Sequence, residues 1–311
     1  AASDVYKRQR QLHKLCVKEH YDIEVSYLEG PSARVISGCQ NPGTKLVSWI
    51  HVEQHTMDKL AGSFRSKKEA RACYSKFDQT VCVSQYVHDD FCQLLDFRKP
   101  CRVLYNTVES DKILAGANEA APELADDGKI RLIAVGTLKQ SKGYMRLLKI
   151  IRCLRDEQYP VHLYILGIGP LQQEMEEYMR QNKLQDTVTL LGYQTNPYKY
   201  VSKCDLFVCA SFAERFSTAA TEALIVGIPV CTVEVSGMKE MLGEDNEWGV
   251  VVENSEKTLY QGIKNLLGEA EMLAHYKGKA AERGKMFSTQ NTVRAAEKML
   301  LELWGCYSEY H

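Results

Sequence analysis

The segment Asp205–Val230, DLFVCASFAERFSTAATEALIVGIPV, constrains the fold of this chain more than any other. It opens with the apolar run Leu206–Cys209, which is typical of a strand buried on both faces of a sheet. A short polar loop follows, and Ser217 then stands where a helix N-cap should, before the helical pattern Thr218–Val226. A Gly-x-Pro sequence ends that helix. The segment therefore predicts a strand that leads through a short loop into a helix.

This strand–loop–helix unit is a candidate anion site. In an open parallel sheet, ligands bind at the carboxyl ends of the strands. A helix N-terminus there offers free N–H groups and partial positive charge, which suit a phosphate. Two carboxylates flank the position, with Glu214 in the loop and Glu222 eight residues later in the helix. The sequence therefore predicts a phosphate-bearing ligand held between two glutamates.

The order of strand, Glu-containing loop, Ser cap, Glu in the helix and Gly-x-Pro resembles the donor-site motif of glycosyltransferase family 4. The resemblance implies a retaining enzyme with a nucleotide-sugar donor and two Rossmann-like domains that face each other across a cleft, the GT-B fold. It implies that Glu214 holds sugar hydroxyls and Glu222 holds ribose hydroxyls. The amides of Phe216, Ser217 and Thr218 would stabilise the leaving diphosphate.

Composition narrows the class of protein further. A chain of 311 residues is long enough for two domains with ample cores, and a formal charge of −1 gives no reason to expect nucleic-acid binding. The eleven cysteines are scattered and no pair has Cys-x2-Cys spacing. This pattern predicts reduced thiols in a cytosolic protein, not a disulfide framework or a zinc site. No apolar run in the sequence is long enough to span a bilayer.

Alternating strand and helix patterns predict an α/β protein with two parallel, helix-covered sheets. We expect residues 1–9 to be non-native, because ASDVYKRQ matches the translation of a transposon end used in sequencing libraries. Residues 10–118 would form an incomplete acceptor-side domain, which lacks the opening strand, Gly-rich turn and helix of the family. Residues 119–288 would form the nucleotide-sugar-binding domain, and residues 289–311 a helix that crosses back to the first.

The start of the second domain carries a further resemblance. Its first strand ends in Ala-Val-Gly-Thr-Leu, and Lys-Gly opens the next helix. This is similar to the family's Gly-Arg-Leu…Lys-Gly signature, in which Arg and Lys grip the donor diphosphate. Gly136 would let the backbone approach the ligand, and Lys142 would supply a compact cation. Thr137 stands in place of the usual arginine, and Lys139 is a candidate replacement for it.

Three more residues follow from the resemblance or from their place at strand ends. Gly167, in a Gly-x-Gly turn after a strand, would make room for the donor nucleotide. Tyr193 either stacks on the nucleotide base or is an ordinary half-buried tyrosine. In the first domain, His51 ends a strand and resembles the family's active-site histidine, which contacts the donor sugar. His51, Glu214 and Lys142 form the predicted catalytic set.

The sequence favours no metal or other cofactor, because no Asp-x-Asp occurs and Lys142 with the helix N-terminus can neutralise the diphosphate. The helix predicted over residues 57–77 carries six basic residues against one glutamate between positions 59 and 76. Such a face can dock on anionic lipid as a peripheral membrane contact. An ordinary solvated helix face has the same pattern, so both interpretations stay open.

Together these features predict a retaining glycosyltransferase of surface polysaccharide or glycoconjugate synthesis. It would move a sugar from a nucleotide-diphosphate donor, UDP-linked, to a hydroxyl of a glycan or lipid-linked acceptor, in the cytoplasm or at the inner face of the membrane. Two alternatives remain. One is a nucleotide-sugar 2-epimerase on the same fold. The other is a non-catalytic nucleotide-sugar-binding subunit, which Thr137 and the missing opening segment favour.

Overall fold

The computed structural model describes residues 2–52, 63–121, 124, 127–214 and 216–305, which are called the described residues below. They divide into two compact units. The first unit is formed by residues up to Asn106 together with residues from Thr292 onward, and the second by Thr107–Asn291. Each unit is built on its own parallel sheet, which confirms the predicted α/β class with two sheets.

The first unit contains a four-stranded parallel sheet in the order β1-β2-β3-β4. Its strands are β1 (Ile23–Ser26), β2 (Lys45–Ile50), β3 (Gln79–Cys82) and β4 (Cys101–Val103). Its described helices are α1 (Ala2–Cys16), α2 (Pro31–Ile36), α3 (Lys67–Tyr74) and α4 (Gln85–Leu95). Ser66 and Ser84 stand immediately before α3 and α4, and each side chain accepts a hydrogen bond from an amide of the first turn, as an N-cap should.

The two faces of this sheet are covered by different parts of the chain. On one face, Tyr74, Phe77 and Phe91 belong to a fully buried aromatic cluster. On the other face, Val47 and Val81 pack against Met299 of the last helix, α13 (Thr289–Trp304). β3 is buried along its whole length, whereas the edge strands β1 and β4 are partly exposed.

Helix α1 begins at Ala2 and therefore includes most of residues 1–9, which the sequence analysis excluded from the fold. Gln9 is buried, and its Oε1 accepts a hydrogen bond of 3.2 Å from Lys76 Nζ. In the same helix, His13 Nε2 lies 2.6 Å from Glu24 Oε2, and both side chains are buried. Gln9 thus packs inside the first unit, while the non-native origin of residues 1–9 stays a prediction.

The second unit contains a six-stranded parallel sheet in the order β10-β9-β8-β5-β6-β7. Its strands are β5 (Ile130–Val135), β6 (Val161–Leu166), β7 (Val188–Gly192), β8 (Leu206–Cys209), β9 (Val230–Val233) and β10 (Val250–Val252). Its helices are α5 (Ser110–Ala117), α6 (Tyr144–Asp156), α7 (Gln172–Gln181), α8 (Tyr198–Val201), α9 (Thr218–Ile225), α10 (Met238–Leu242), α11 (Glu256–Gly268) and α12 (Ala270–Met286). The strands that follow β5 are added on one side of it, and the strands that follow β8 are added on the opposite side. A ligand crevice is expected at the carboxyl ends of β5 and β8, where the strand order reverses.

The division between the units falls after Asn106, earlier in the chain than the predicted boundary at residue 118. Helix α5 belongs to the second unit. Asn196 Nδ2 donates to Gly116 O at 3.0 Å, and Ser202 Oγ donates to Ala117 O at 2.7 Å. These bonds to the end of α5 tie it to α8, which a composition shift alone does not reveal.

The basic helix predicted over residues 57–77 lies partly outside the described residues. Within them, α3 covers only Lys67–Tyr74, and residues 63–66 precede it without helical structure. The helix begins directly after Ser66, because the Ser66 side chain accepts a hydrogen bond from the Glu69 amide and caps the helix. Arg65, Lys67 and Lys68 are exposed. Among the described helices, we find none that combines the length and apolar character needed to cross a membrane.

Two glycines of α12 allow a matched test of packing. A Cβ on the buried Gly284 would stand 2.2 Å from Leu224 O of α9, whereas one on the exposed Gly278 would meet nothing within 4 Å. We expect Gly278→Ala to raise the free energy of unfolding by about 0.5–1 kcal/mol, since alanine is the better helix former. Gly284→Ala should lower it by about 1–3 kcal/mol through overpacking.

Urea denaturation of both variants measures this difference. Equal stabilisation by the two substitutions would contradict the close α9–α12 contact.

Candidate active site

A lysine, a serine and a glutamate meet at the carboxyl ends of β5 and β8. Lys142 Nζ donates to Glu214 Oε1, and Ser211 Oγ donates to the same oxygen at 2.7 Å. The Lys142 side chain is 28% exposed and that of Glu214 is 12% exposed. Lys142 lies in the short 3₁₀ turn Gln140–Lys142 after β5, and the other two follow β8. Ser211 and Glu214 lie 69 and 72 positions after Lys142 in the sequence, yet the three side chains form one small polar cluster.

The glycine after Lys142 makes this meeting possible. Gly143 has φ of +69°, and a Cβ there would stand 1.8 Å from Ala210 O. A side chain at this position would thus be strained by the backbone and would collide with the loop after β8. Lys142 places a cation on the loop after β5, and Gly143 lets the loop after β8 approach it.

A buried arginine holds the loop after β8 in place. Arg146 is 5% exposed. Its Nε donates to Ala210 O at 2.6 Å, its Nη2 to Ser211 O at 2.9 Å, and its Nη1 to Asn254 Oδ1 at 2.8 Å. The guanidinium carbon also lies 4.3 Å from the ring centroid of Phe212. Burial lowers the pKa of Arg146.

Sequence reasoning missed Arg146. The signal was present, because the arginine interrupts the apolar face of α6, where Tyr144, Leu147 and Leu148 are buried. A charge at such a position is expected only where several acceptors converge on it.

Gly136 and Gly167 bring two turns of the sheet edge into contact. A Cβ on Gly167 would stand 2.0 Å from Gly136 O. The same carbonyl accepts a hydrogen bond of 3.0 Å from Tyr144 Oη. Thr137 and Lys139 lie beside this turn, and both are exposed. Whether Lys139 replaces the arginine that Thr137 lacks stays a prediction.

Helix α9 begins where the sequence predicted. The Ser217 side chain is buried and accepts a bond of 3.4 Å from Ala220 N, so it caps the helix. Thr218, the first helical residue, is exposed. Phe216 packs its ring at 5.9 Å from that of Phe287. The first amides of such a helix have no acceptors within it, which leaves them for a ligand.

Lys142, Tyr144, Ser211, Glu214 and Ser217 share the walls of a cavity of about 20 Å³. The structure thus joins the predicted phosphate lysine, the loop glutamate and the helix cap at one point. The volume is that of about one water molecule.

Glu222 lies in a different environment from Glu214. It is half-buried in α9, and Tyr198 Oη donates to its Oε1 at 3.1 Å. Burial raises the pKa of the Glu222 carboxyl, and the Tyr198 bond partly offsets that rise. Tyr198, whose own pKa burial and Glu222 raise to about 12, was not singled out from the sequence. The two glutamates of the motif therefore have different partners, a lysine for Glu214 and a tyrosine for Glu222.

Two further predicted residues belong to other elements of the structure. Tyr193 follows β7 and is 68% exposed, with its ring available for stacking. His51 belongs to the first unit, where its amide donates to Glu29 Oε2 at 3.2 Å and its ring lies 4.8 Å from that of Tyr27. Its Nε2 is buried and has no hydrogen-bond partner among the described residues. Its role at the donor sugar stays a prediction.

Two parallel, helix-covered sheets are typical of glycosyltransferases of the GT-B fold, and comparisons with known proteins agree. The chain belongs to the glycosyl transferases group 1, whose family model matches residues 117–283.

One relative is the N-acetylgalactosamine-N,N'-diacetylbacillosaminyl-diphospho-undecaprenol 4-alpha-N-acetylgalactosaminyltransferase of Campylobacter jejuni. It is 35% identical over 304 residues, which cover 93% of this chain and 78% of that protein. The putative colanic acid biosynthesis glycosyltransferase WcaL of Escherichia coli is 28% identical over 150 residues, or 46% of this chain and 37% of that protein.

Solved structures show the same fold. A glycosyltransferase from Rickettsia africae matches with a TM-score of 0.76 at 16% identity, over 96% of this chain and 81% of that chain. Staphylococcus aureus TarM matches with a TM-score of 0.66 at 19% identity, over 94% of this chain. The chain spans 58% of the length of TarM. The fold is therefore the GT-B type, as predicted.

Replacing Arg146 tests the support of the loop after β8. Arg146→Lys keeps the charge but cannot reach all three acceptors, so one or more carbonyls lose a partner. We expect the free energy of unfolding to fall by about 1.5–3 kcal/mol, the range for hydrogen bonds to a charged group. Chemical denaturation gives the value.

Arg180→Lys is the control, because Arg180 is 71% exposed and contacts Glu177 on its own helix. It should change stability by about 0.5 kcal/mol or less. A similar effect of both substitutions would show that Arg146 does not hold the loop.

Proposed function

We propose that this glycosyltransferase transfers a sugar, with retention at the anomeric carbon, from a UDP-sugar to a hydroxyl of a lipid-linked glycan. The observation that carries the proposal is the Lys142–Ser211–Glu214 cluster at the carboxyl ends of β5 and β8. It combines a cation for a diphosphate with a carboxylate for sugar hydroxyls, next to a capped helix N-terminus.

The donor diphosphate would lie between Lys142 and the start of α9. Lys142 neutralises developing charge on the leaving group, and the amides of Phe216, Ser217 and Thr218 add hydrogen bonds to it. These groups are fixed before the reaction, because Gly143 and Arg146 hold the two loops together. We propose that this arrangement serves in place of a bound metal.

The two glutamates would bind the two ends of the donor. Both described bonds to Glu214 fall on Oε1, so within the described residues its Oε2 is available for a sugar hydroxyl. Glu222 has Oε1 bonded to Tyr198, and its second oxygen would accept a ribose hydroxyl. Tyr193 would stack on the base through its exposed ring.

The proposed reaction exchanges one bond at the anomeric carbon for another. The bond from that carbon to the diphosphate oxygen breaks, and the acceptor oxygen forms a bond on the same face. The acceptor proton passes to the leaving diphosphate, which Lys142 keeps anionic enough to act as its base. Attack on the face that the leaving group vacates retains the configuration.

The Campylobacter relative supports a lipid-linked acceptor, because its name includes a diphospho-undecaprenol-linked sugar. An acceptor of this kind is held at a membrane. The exposed basic residues Arg65, Lys67 and Lys68 of the first unit are suited to anionic lipid headgroups. We therefore propose action at the cytoplasmic face of a membrane by peripheral contact.

Transfer assays with Glu214→Gln test this function. The chain is incubated with UDP-hexoses and a short polyprenyl-diphosphate-linked glycan, and products are followed by mass spectrometry. We expect Glu214→Gln to lower kcat by about 10- to 100-fold, since a hydrogen bond to a charged group contributes about 1.5–3 kcal/mol. The affinity for UDP should stay the same or increase, because Lys142 loses the negatively charged partner Glu214.

Glu271→Gln, at an exposed position of α12, is the matched control and should leave kcat unchanged. Donor incubated without acceptor separates the alternatives. Release of a free epimerised sugar nucleotide would indicate the 2-epimerase, and donor binding without turnover would indicate the non-catalytic subunit. Either result would sink the proposal.

The pH dependence of donor binding tests the role of Glu222. UDP-glucose serves as the ligand, because its diphosphate diester keeps its charge over the range measured. Binding should weaken as pH falls through the Glu222 pKa, which burial raises above the usual glutamate value of about 4.3. Tyr198→Phe removes a hydrogen bond that favours the ionised form of Glu222, so the loss of UDP-glucose binding should occur at higher pH.

Glu222→Gln provides the reference for this measurement, since the amide at position 222 cannot titrate. Calorimetry across the pH range compares the three proteins. If wild type and Glu222→Gln lose affinity in parallel, Glu222 does not bind the donor.

A further inference from the structure

Three cysteines and a histidine converge in the first unit, whereas the Lys142–Ser211–Glu214 cluster belongs to the second. Cys82 is the last residue of β3 and Cys101 the first of β4, two neighbouring parallel strands. His88 and Cys92 lie four residues apart on α4. Residues four apart share one face of a helix. We call these four residues the thiol–imidazole cluster.

Three members of the thiol–imidazole cluster have ligand atoms close enough to share a metal ion, and Cys82 lies beside one of them, Cys101. His88 Nε2 lies 3.8 Å from Cys92 Sγ, and Cys82 Sγ lies 3.6 Å from Cys101 Sγ. The ligand atoms of His88, Cys92 and Cys101 all lie within 4.8 Å of one another. A tetrahedral zinc site with Zn–S bonds of about 2.3 Å and Zn–N bonds of about 2.0–2.1 Å has edges of about 3.5–3.8 Å. The two shortest contacts already match those edges.

We propose that the thiol–imidazole cluster is a Zn²⁺ site, with His88 Nε2, Cys92 Sγ and Cys101 Sγ as ligands and Cys82 Sγ as the fourth. Thiolate and imidazole ligands select Zn²⁺ over the hard cations Mg²⁺ and Ca²⁺, which prefer oxygen. Binding converts the thiols to thiolates and releases their protons.

The surroundings of His88 support a metal ligand. Its Nδ1 lies 2.8 Å from Asp89 Oδ1, so Nδ1–H donates to the carboxylate. Gln85 Nε2 donates to the same oxygen at 2.7 Å and lies 3.1 Å from Nδ1. A proton on Nδ1 leaves the lone pair on Nε2, the atom that faces Cys92. Metal-binding histidines are oriented by carboxylates in this way.

The position of the cluster suits a structural ion. Cys82 is buried, while His88, Cys92 and Cys101 are half-buried, so an ion can enter from solvent. One ion would tie α4 to β3 and β4, three elements that otherwise meet through apolar side chains. Because the unit has its own buried core, the ion adds to stability and is not required for folding.

Metal analysis of the full chain tests the site. The chain is prepared without a polyhistidine tag, under reducing conditions and with zinc present, and then dialysed. We expect about one Zn²⁺ per chain by plasma emission spectrometry. Asp89→Asn should weaken the affinity measured by chelator competition by about 10- to 100-fold.

His88→Gln and Cys101→Ser should each lose the ion, and Cys153→Ser, which changes an exposed thiol of the second unit, should keep it. His88 is partly exposed, so its variant is expected to fold. Replacing zinc by Co²⁺ should give the visible bands and the thiolate charge-transfer band of a tetrahedral site in wild type and in Cys153→Ser.

Three results would overturn the proposal. One is the absence of zinc from the reduced wild-type chain. Another is zinc retained by both His88→Gln and Cys101→Ser, which would place it elsewhere, such as at His13, Glu24 and Cys39. The third is a disulfide among Cys82, Cys92 and Cys101 in the freshly prepared reduced protein, seen as a mass loss of two hydrogens. None of these readouts depends on sugar transfer.

Discussion

The candidate site depends on one interaction, the grip of the Arg146 guanidinium on the carbonyls of Ala210 and Ser211. Those carbonyls belong to the loop that carries Glu214, and Ser211 itself donates to the glutamate. Gly143 completes the contact by leaving space for Ala210 O. A buried charge without several acceptors is costly, so Arg146 and the loop stabilise each other in one geometry. Lys142 can therefore meet Glu214 without a large entropic cost at the moment of binding.

The two glutamates show how one helix and its loop create two chemical environments. Glu214 lies outside α9 and is paired with Lys142. Glu222 lies inside α9 against Tyr198, where burial raises its pKa. A carboxylate next to a cation can exchange partners with an incoming sugar. A half-buried carboxylate instead provides a fixed acceptor. The division of labour proposed for sugar and ribose follows from this difference in bonded partners.

The thiol–imidazole cluster illustrates a second kind of convergence. Its members come from the end of one strand, the start of the next and one face of the helix between them. Spacing rules for zinc sites depend on ligands within short loops, so the scattered cysteines gave no such signal in the sequence. The proposed ion therefore departs from the sequence-based expectation of separate reduced thiols.

Local pattern was enough to predict the α/β class, the buried strand Leu206–Cys209 and the Ser217 cap, because periodicity and capping are properties of neighbouring residues. It also singled out Glu214 and Lys142, whose side chains the structure brings together. The sequence analysis did not identify Arg146, Tyr198, the division between the units at residues 106–107 or the meeting of thiol and imidazole side chains. Each of these depends on residues distant in sequence that the parallel sheets bring to one edge. A sequence determines which side chains a strand or helix offers, whereas the crossover connections decide which of them meet.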